Sequence, residues 1–225
     1  MLRSLAFLLA LGVLIVGPAS SASAGVYDHL LAPAASCPDQ TTTSLSVDVQ
    51  ETAMLCMVNF ARERSGLARL ATDPRLMDSA DRKAQDIVRC QEFSHTSCGR
   101  AFDFHVAAVG YRACATGENI AWGSGSLGTV RNRMSGWLES SGHRANILST
   151  RYRDQGVALV RGTFSGYSGV GMWVSQFATL CAGAPPAPAP APVPTPTPAP
   201  GGEATPPPAT TPVPRPTRPR RHRRP

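Results

Sequence analysis

Three short segments hold the residues that could do chemistry: Phe93-Ser-His95, Gly117-Glu118-Asn119 and Trp137-Leu-Glu-Ser140-Ser-Gly-His143. Neutral imidazoles bind zinc or copper, and a carboxylate can orient or deprotonate a bound water. No third strong ligand accompanies His95 and His143. A divalent metal such as zinc would therefore be weakly held by those two, with water completing its shell. Ser140 or Ser141 beside His143 invites a Ser–His nucleophile. Neighbours on one helix bring no oxyanion hole and no orienting acid, however. Neither Gly-x-Ser-x-Gly nor His-Glu-x-x-His occurs. Each segment also has a purely structural reading. Ser140 or Ser141 suits the N-cap of a short helix. Glu118 suits capping of backbone N–H groups, and His95, close to Cys98, suits a loop hydrogen bond.

The elements that must position these residues occupy the middle of a chain split in three. The 225 residues carry a formal charge of +7. Residues 1–24 open with Met1-Leu2-Arg3, continue as an apolar run from Leu5 to Val16, and end Ala22-Ser23-Ala24. That is the form of a secretory signal peptide, its run shorter than the ~20 residues that span a bilayer. Residues 182–225 hold 17 of the 21 prolines and six arginines, all six between Arg215 and Arg224. Such a tail is predicted to be disordered and extended. Its basic end would attract an anionic envelope polymer or a membrane surface; the blander alternative is a solubilising spacer. The region between is close to neutral, which argues against a specific nucleic-acid partner. The expected product is a monomer, secreted and extracellular or held at the cell envelope.

Cys37, Cys56, Cys90, Cys98, Cys114 and Cys181 all lie in that middle region. An even number in an exported chain predicts three disulfides. Fifteen pairings are open, and Cys-x-x-Cys zinc spacing is absent. The favoured set is Cys37–Cys56, tying an N-terminal arm (25–47) to the first helix, and Cys90–Cys98, pinning the His95 loop. Cys114–Cys181 is then left.

Within 48–181, Asp48-x-x-Glu51 reads as a capping box. The helix it opens runs to Arg64, with Ala53, Met57, Val58 and Ala61 on one face and Gly66 as its stop. Asp73-Pro74 starts a second helix with Leu76, Ala80, Ala84, Ile87 and Val88 as its apolar stripe. A short helix is predicted over Phe102–Val109. Another runs from Thr129 through Trp137 and breaks at Gly142, and Thr116–Gly123 sits between helices. Gly156–Arg161 and Val170–Phe177 read as strands joined by a hairpin loop. Helices first and strands last make this an α+β chain.

Taken in order, these motifs resemble a known family. They are Leu55-Cys-Met-Val-Asn59-Phe-Ala-Arg62, Phe93-Ser-His95, Gly117-Glu118-Asn119-Ile120-Ala121, Trp137-x-x-Ser140-x-x-His143-Arg144-x-Asn146-Ile147-Leu148, Gly156-Val157 and Trp173-Val-Ser-Gln176-Phe177. The chain resembles the bacterial branch of the CAP superfamily, named for cysteine-rich secretory proteins, antigen 5 and pathogenesis-related proteins; its domain is called SCP-like. The resemblance implies a three-layer α-β-α sandwich with an antiparallel central sheet and a surface cleft. Family clefts are built on two His and two Glu. By this likeness His95 and Glu118 supply one of each. Ser140 stands where the second Glu falls, Trp173 stands where the second His falls, and His143 projects from the helix side. The implied role is a binding module for a small apolar or lipid ligand or a weakly held metal. The alternatives are a metal-assisted or Ser/His hydrolase, or an envelope protein acting through its cationic tail.

Overall fold

The computed structural model describes residues 25–183. The expected signal peptide and the Pro/Arg-rich tail from 184 onward lie outside the described residues. Their elements run α1 (Val47–Arg64), β1 (Ala71–Thr72), α2 (Pro74–Cys90), α3 (Phe104–Ala108), β2 (Ala113–Gly123), α4 (Val130–Glu139), α5 (Ser141–Ile147), β3 (Asp154–Phe164) and β4 (Tyr167–Leu180). No helix among them is long and apolar enough to cross a membrane.

The strands form one sheet in the order β1-β3-β4-β2. Every pairing is antiparallel except that of the two-residue β1 with β3. Side chains alternate across this sheet. On one face Ile120, Ala158, Met172 and Val174 meet Ala80, Ala84 and Ile87 of α2. On the other, Val157, Leu159, Trp173 and Phe177 meet Met54, Met57 and Val58 of α1 and Trp137 and Leu138 of α4. The three layers are therefore α2, the sheet, and the α1–α4–α5 group, as an α-β-α sandwich requires.

Local sequence explains most boundaries. Asp73 accepts the Arg75 N–H at 2.8 Å and Pro74 fills the first helical position, so α2 starts as expected. At the end of α1, Leu67 N bonds Arg62 O and Gly66 N bonds Glu63 O, with Gly66 at φ +72°. That pair of bonds is the Schellman stop. The start of α1 corrects the sequence reading. Ser46 is the N-cap, without a side-chain cap bond, and Glu51 does not reach back. Its carboxylate crosses to β3 and accepts the Leu159 N–H at 2.8 Å. Burial raises the Glu51 carboxyl above its ordinary pKa, and Asp48 and Asp81 raise it further against that N–H.

Two other expectations change. Residues 113–123 are not a connection between helices but an eleven-residue edge strand. The N-terminal arm is no loose tether either, because Leu30, Leu31, Ala32 and Cys37 are buried in the α1-side core. Gln40 donates to Ala32 O and Cys37 O, and Arg131 donates to Ala32 O and Gln40 Oε1. All three disulfides pair as expected: Cys37–Cys56, Cys90–Cys98 and Cys114–Cys181.

Candidate functional site

Strand β2 forms one edge of the sheet, and its outward carbonyls organise the site. Thr116 O accepts from Tyr152 Oη at 3.0 Å and Glu118 O from Asn146 Nδ2 at 3.2 Å. Ile120 O accepts from Trp137 Nε1 at 3.3 Å and Trp122 O from Arg133 Nη1 at 2.8 Å. Every second carbonyl is thus taken by a side chain of α4, α5 or the turn after them. Gly117 makes this possible, since a Cβ there would stand 2.3 Å from Tyr152 Oη. Asn119 adds a second tie, donating to His143 O at 3.1 Å and accepting from Asn146 at 2.9 Å. These bonds dock α5 on β2 and so place His143.

Glu118 faces the α2 side of the sheet, sharing that face with Ile120, and its side chain is fully buried. Its Oε1 lies 2.7 Å from His95 Nδ1, and its Oε2 accepts from Gln176 Nε2 at 2.6 Å. Gln176 is its register partner on β4. Because Glu118 accepts, the His95 proton sits on Nδ1, and a neutral His95 offers Nε2 as an acceptor. His95 is about half exposed, at 48% of its side-chain surface. Its backbone carbonyl accepts from Lys83 Nζ at 2.6 Å. Lys83 is buried, and burial lowers its pKa, with Glu118 the foremost of the carboxylates opposing that shift. The loop carrying His95 leaves α2 through Gln91 in the left-handed region and closes through Cys90–Cys98.

His143 comes from the opposite wall. Burial first, and then the proximity of His95 when that ring is protonated, lowers its pKa and favours the neutral form. It lines a cleft of about 310 Å³ with Phe93, Ile120, Trp122, Arg133, Trp137 and Ser140. Ser140 ends α4 and begins α5, so the helix breaks there and not at Gly142. No hydrogen bond joins Ser140 to His143 among the described residues, and Glu139 turns to Ser135 instead. Trp173 is buried on the α1 side, donating to Gly128 O at 3.1 Å. The residues present do not fit a four-ligand zinc centre. Both Glu118 oxygens are engaged, and no group of three or more His, Cys, Asp or Glu among the described residues is placed to hold a metal.

Lys83 and Arg133 escaped the sequence reading. Lys83 carried a signal: it is the chain's one lysine and lies three residues after Ala80, inside the apolar stripe of α2. Arg133 carried none.

The model of the "Cysteine-rich secretory protein family" (CAP) matches residues 55–177. The "Uncharacterized protein YkwD" of Bacillus subtilis strain 168 is 35% identical over 150 residues, which are 65% of this chain and 54% of that protein. The chain thus spans about half the length of that curated relative. Among solved structures, an outer surface protein of Borrelia burgdorferi superposes with a TM-score of 0.54 at 16% identity, over 61% of this chain and 97% of that one. An extracellular SCP-domain protein of Bacillus anthracis gives a TM-score of 0.47 at 22% identity, over 61% and 45%. The Borrelia likeness is one of fold.

Proposed function

Because the chain belongs to the cysteine-rich secretory protein (CAP) family, we propose that it is an exported binding module whose cleft takes a small, largely apolar molecule with a polar end. One observation carries this reading: His143 lines an aromatic-walled cleft together with Phe93 of the His95 loop, and His95 is near enough to act on His143 electrostatically. His95 is oriented by Glu118, and burial lowers the His143 pKa. Trp122, Trp137, Phe93 and Ile120 would cover the apolar body of the ligand. The two imidazoles would accept hydrogen bonds from its polar end. The leader form of residues 1–24 and the three disulfides support export. Ser140 and His143, the pair the hydrolase alternative would use, share no hydrogen bond among the described residues.

Titration with an anilinonaphthalene fluorophore tests the cleft. His95→Ala and His143→Ala are each expected to weaken binding about tenfold, the worth of a buried hydrogen bond, with Ser140→Ala close to wild type. Unchanged binding in both histidine variants sinks the reading. Zinc titrated in place of the fluorophore distinguishes a metal role.

The Arg-rich end adds a proposed second contact, with an anionic envelope polymer or an anionic membrane surface. Full-length protein should bind anionic vesicles at low salt, and a chain ending at Gly183 should not. Equal binding by both reduces the tail to a spacer.

A further inference from the structure

Outside α2 lies a second cleft, of about 710 Å³, sharing no lining residue with the His143 cleft. Its floor is Asp86, whose side chain is only 7% exposed. Three cationic or imidazole groups converge on that one carboxylate. His105 Nε2 lies 2.8 Å and Arg100 Nε 2.7 Å from Oδ2, and Arg89 donates to Oδ1. Burial alone would raise the Asp86 pKa; Arg89, His105 and Arg100 outweigh it and bring it below the ordinary value.

The arrangement supplies more positive charge than the floor can use. His105 and one guanidinium would satisfy a buried carboxylate, yet a second guanidinium is present. Arg82 also lines the cleft, but Asp78 takes its Nε and Nη2. Arg89 and Arg100 differ from it. Arg89 gives Nη2 to Asp86 and, at 3.5 Å, to Cys98 Sγ, whereas Arg100 Nε faces Asp86 as an ion pair without a hydrogen bond. The remaining N–H groups, Nε and Nη1 of Arg89 and both Nη of Arg100, have no partner among the described residues. Arg100 lies 4.6 Å over the Phe104 ring, the Cys90–Cys98 bridge closes the loop between the two arginines, and Arg89, 61% exposed, is tethered through Asp86. Two guanidiniums tethered to one carboxylate beside an open cleft are an arrangement that can grip oxyanions bidentately.

We propose that Arg89 and Arg100, braced by Asp86, form a binding site for a phosphate group, carried by a small phosphoester whose organic part lies against Val88, Ala108 and Val160. Carboxylates suit the forks less well, since the three terminal oxygens of a phosphate monoester can engage both guanidiniums at once.

The test uses isotope-labelled full-length protein at constant ionic strength, read by NMR. The probes are inorganic phosphate, glycerol phosphate and phosphatidylglycerol vesicles. The signals followed are the Arg89 and Arg100 Nε–H groups and the backbone amides of 86–105, which separates this site from the basic tail. Saturable shifts confined to those signals are expected with phosphate, and at lower concentration with glycerol phosphate. Response to vesicles alone would identify a lipid headgroup as the source of the same chemistry. Arg89→Gln is expected to weaken binding about tenfold while Arg100 and His105 keep Asp86 paired, and Arg82→Gln to change it less than about threefold. Arg89→Lys keeps the charge but loses the fork, and should recover only part of the loss. Shifts that never saturate, or that persist undiminished in Arg89→Gln, overturn the proposal.

Discussion

Gly156→Ala is expected to destabilise the protein severely. A Cβ at this position of β3 would stand 2.1 Å from Leu76 C, 2.4 Å from Leu76 O and 2.4 Å from Met77 N. All three are backbone atoms of α2, so no side chain can rotate away. Relief requires lifting the helix off the sheet, across the face where Ala80, Ala84 and Ile87 are packed. The cost is expected to exceed about 3 kcal/mol, beyond ordinary overpacking, against a total stability of roughly 5–15 kcal/mol for a domain. Urea denaturation checks it. Gly142→Ala is the control, because nothing lies within 4 Å of a Cβ there, on an exposed turn of α5. It should be neutral or stabilising by up to about 1 kcal/mol. A shared denaturation midpoint for wild type and Gly156→Ala would show that the helix does not rest on that strand.

Glu118→Ala is expected to cost about 3 kcal/mol or more, because it strips a buried cation of the carboxylate that most compensates it. Gln176, itself 2% exposed, would lose its acceptor, and His95 its anchor. Lys83 would keep its bond to His95 O but lose the foremost carboxylate opposing its desolvation. The Lys83 pKa, already lowered by burial, would fall further. The folded state then binds fewer protons at Lys83 than the unfolded chain does, so this contribution to stability grows as pH rises through the folded value. The deficit of Glu118→Ala against wild type should therefore be smaller near about pH 9.5 than near about pH 6. A deficit independent of pH would mean that Lys83 is compensated elsewhere. Glu118→Gln keeps one acceptor oxygen and should fall between the two.

The helices were more legible than the sheet. Asp73-Pro74 announces α2 because cap and proline act within a single turn. Strand β2 was hidden because Ala113-Cys-Ala-Thr-Gly-Glu-Asn-Ile-Ala-Trp-Gly is poor in β-branched residues. It is a strand because β4 pairs with it on one side and four side chains bind it on the other. Glu51 misled for a similar reason: its spacing from Asp48 is that of a cap, but its partner, Leu159, lies 108 residues away. At the site, His95 and Glu118 stood out by motif, whereas the carboxylate's second partner depended on the β2–β4 register, which local sequence does not encode. The disulfides were legible because the arm and the His95 loop each had a cysteine within reach of a helix.

The side chains that dock on β2 and on the stretch of β3 beyond the short β1 also govern how copies of the molecule meet. An incoming chain that tried to extend the sheet beyond β2 would find the carbonyls of Thr116, Glu118, Ile120 and Trp122 already occupied. Along β3, Val157 N is taken by Met77 Sδ and Leu159 N by Glu51. At these positions β2 lacks free acceptors and β3 lacks free donors among the described residues, so a strand added there would form only part of each rung. Fibril growth needs complete rungs repeated from copy to copy. The same bonds that set α5 over the cleft therefore guard the protein against polymerising through its own sheet.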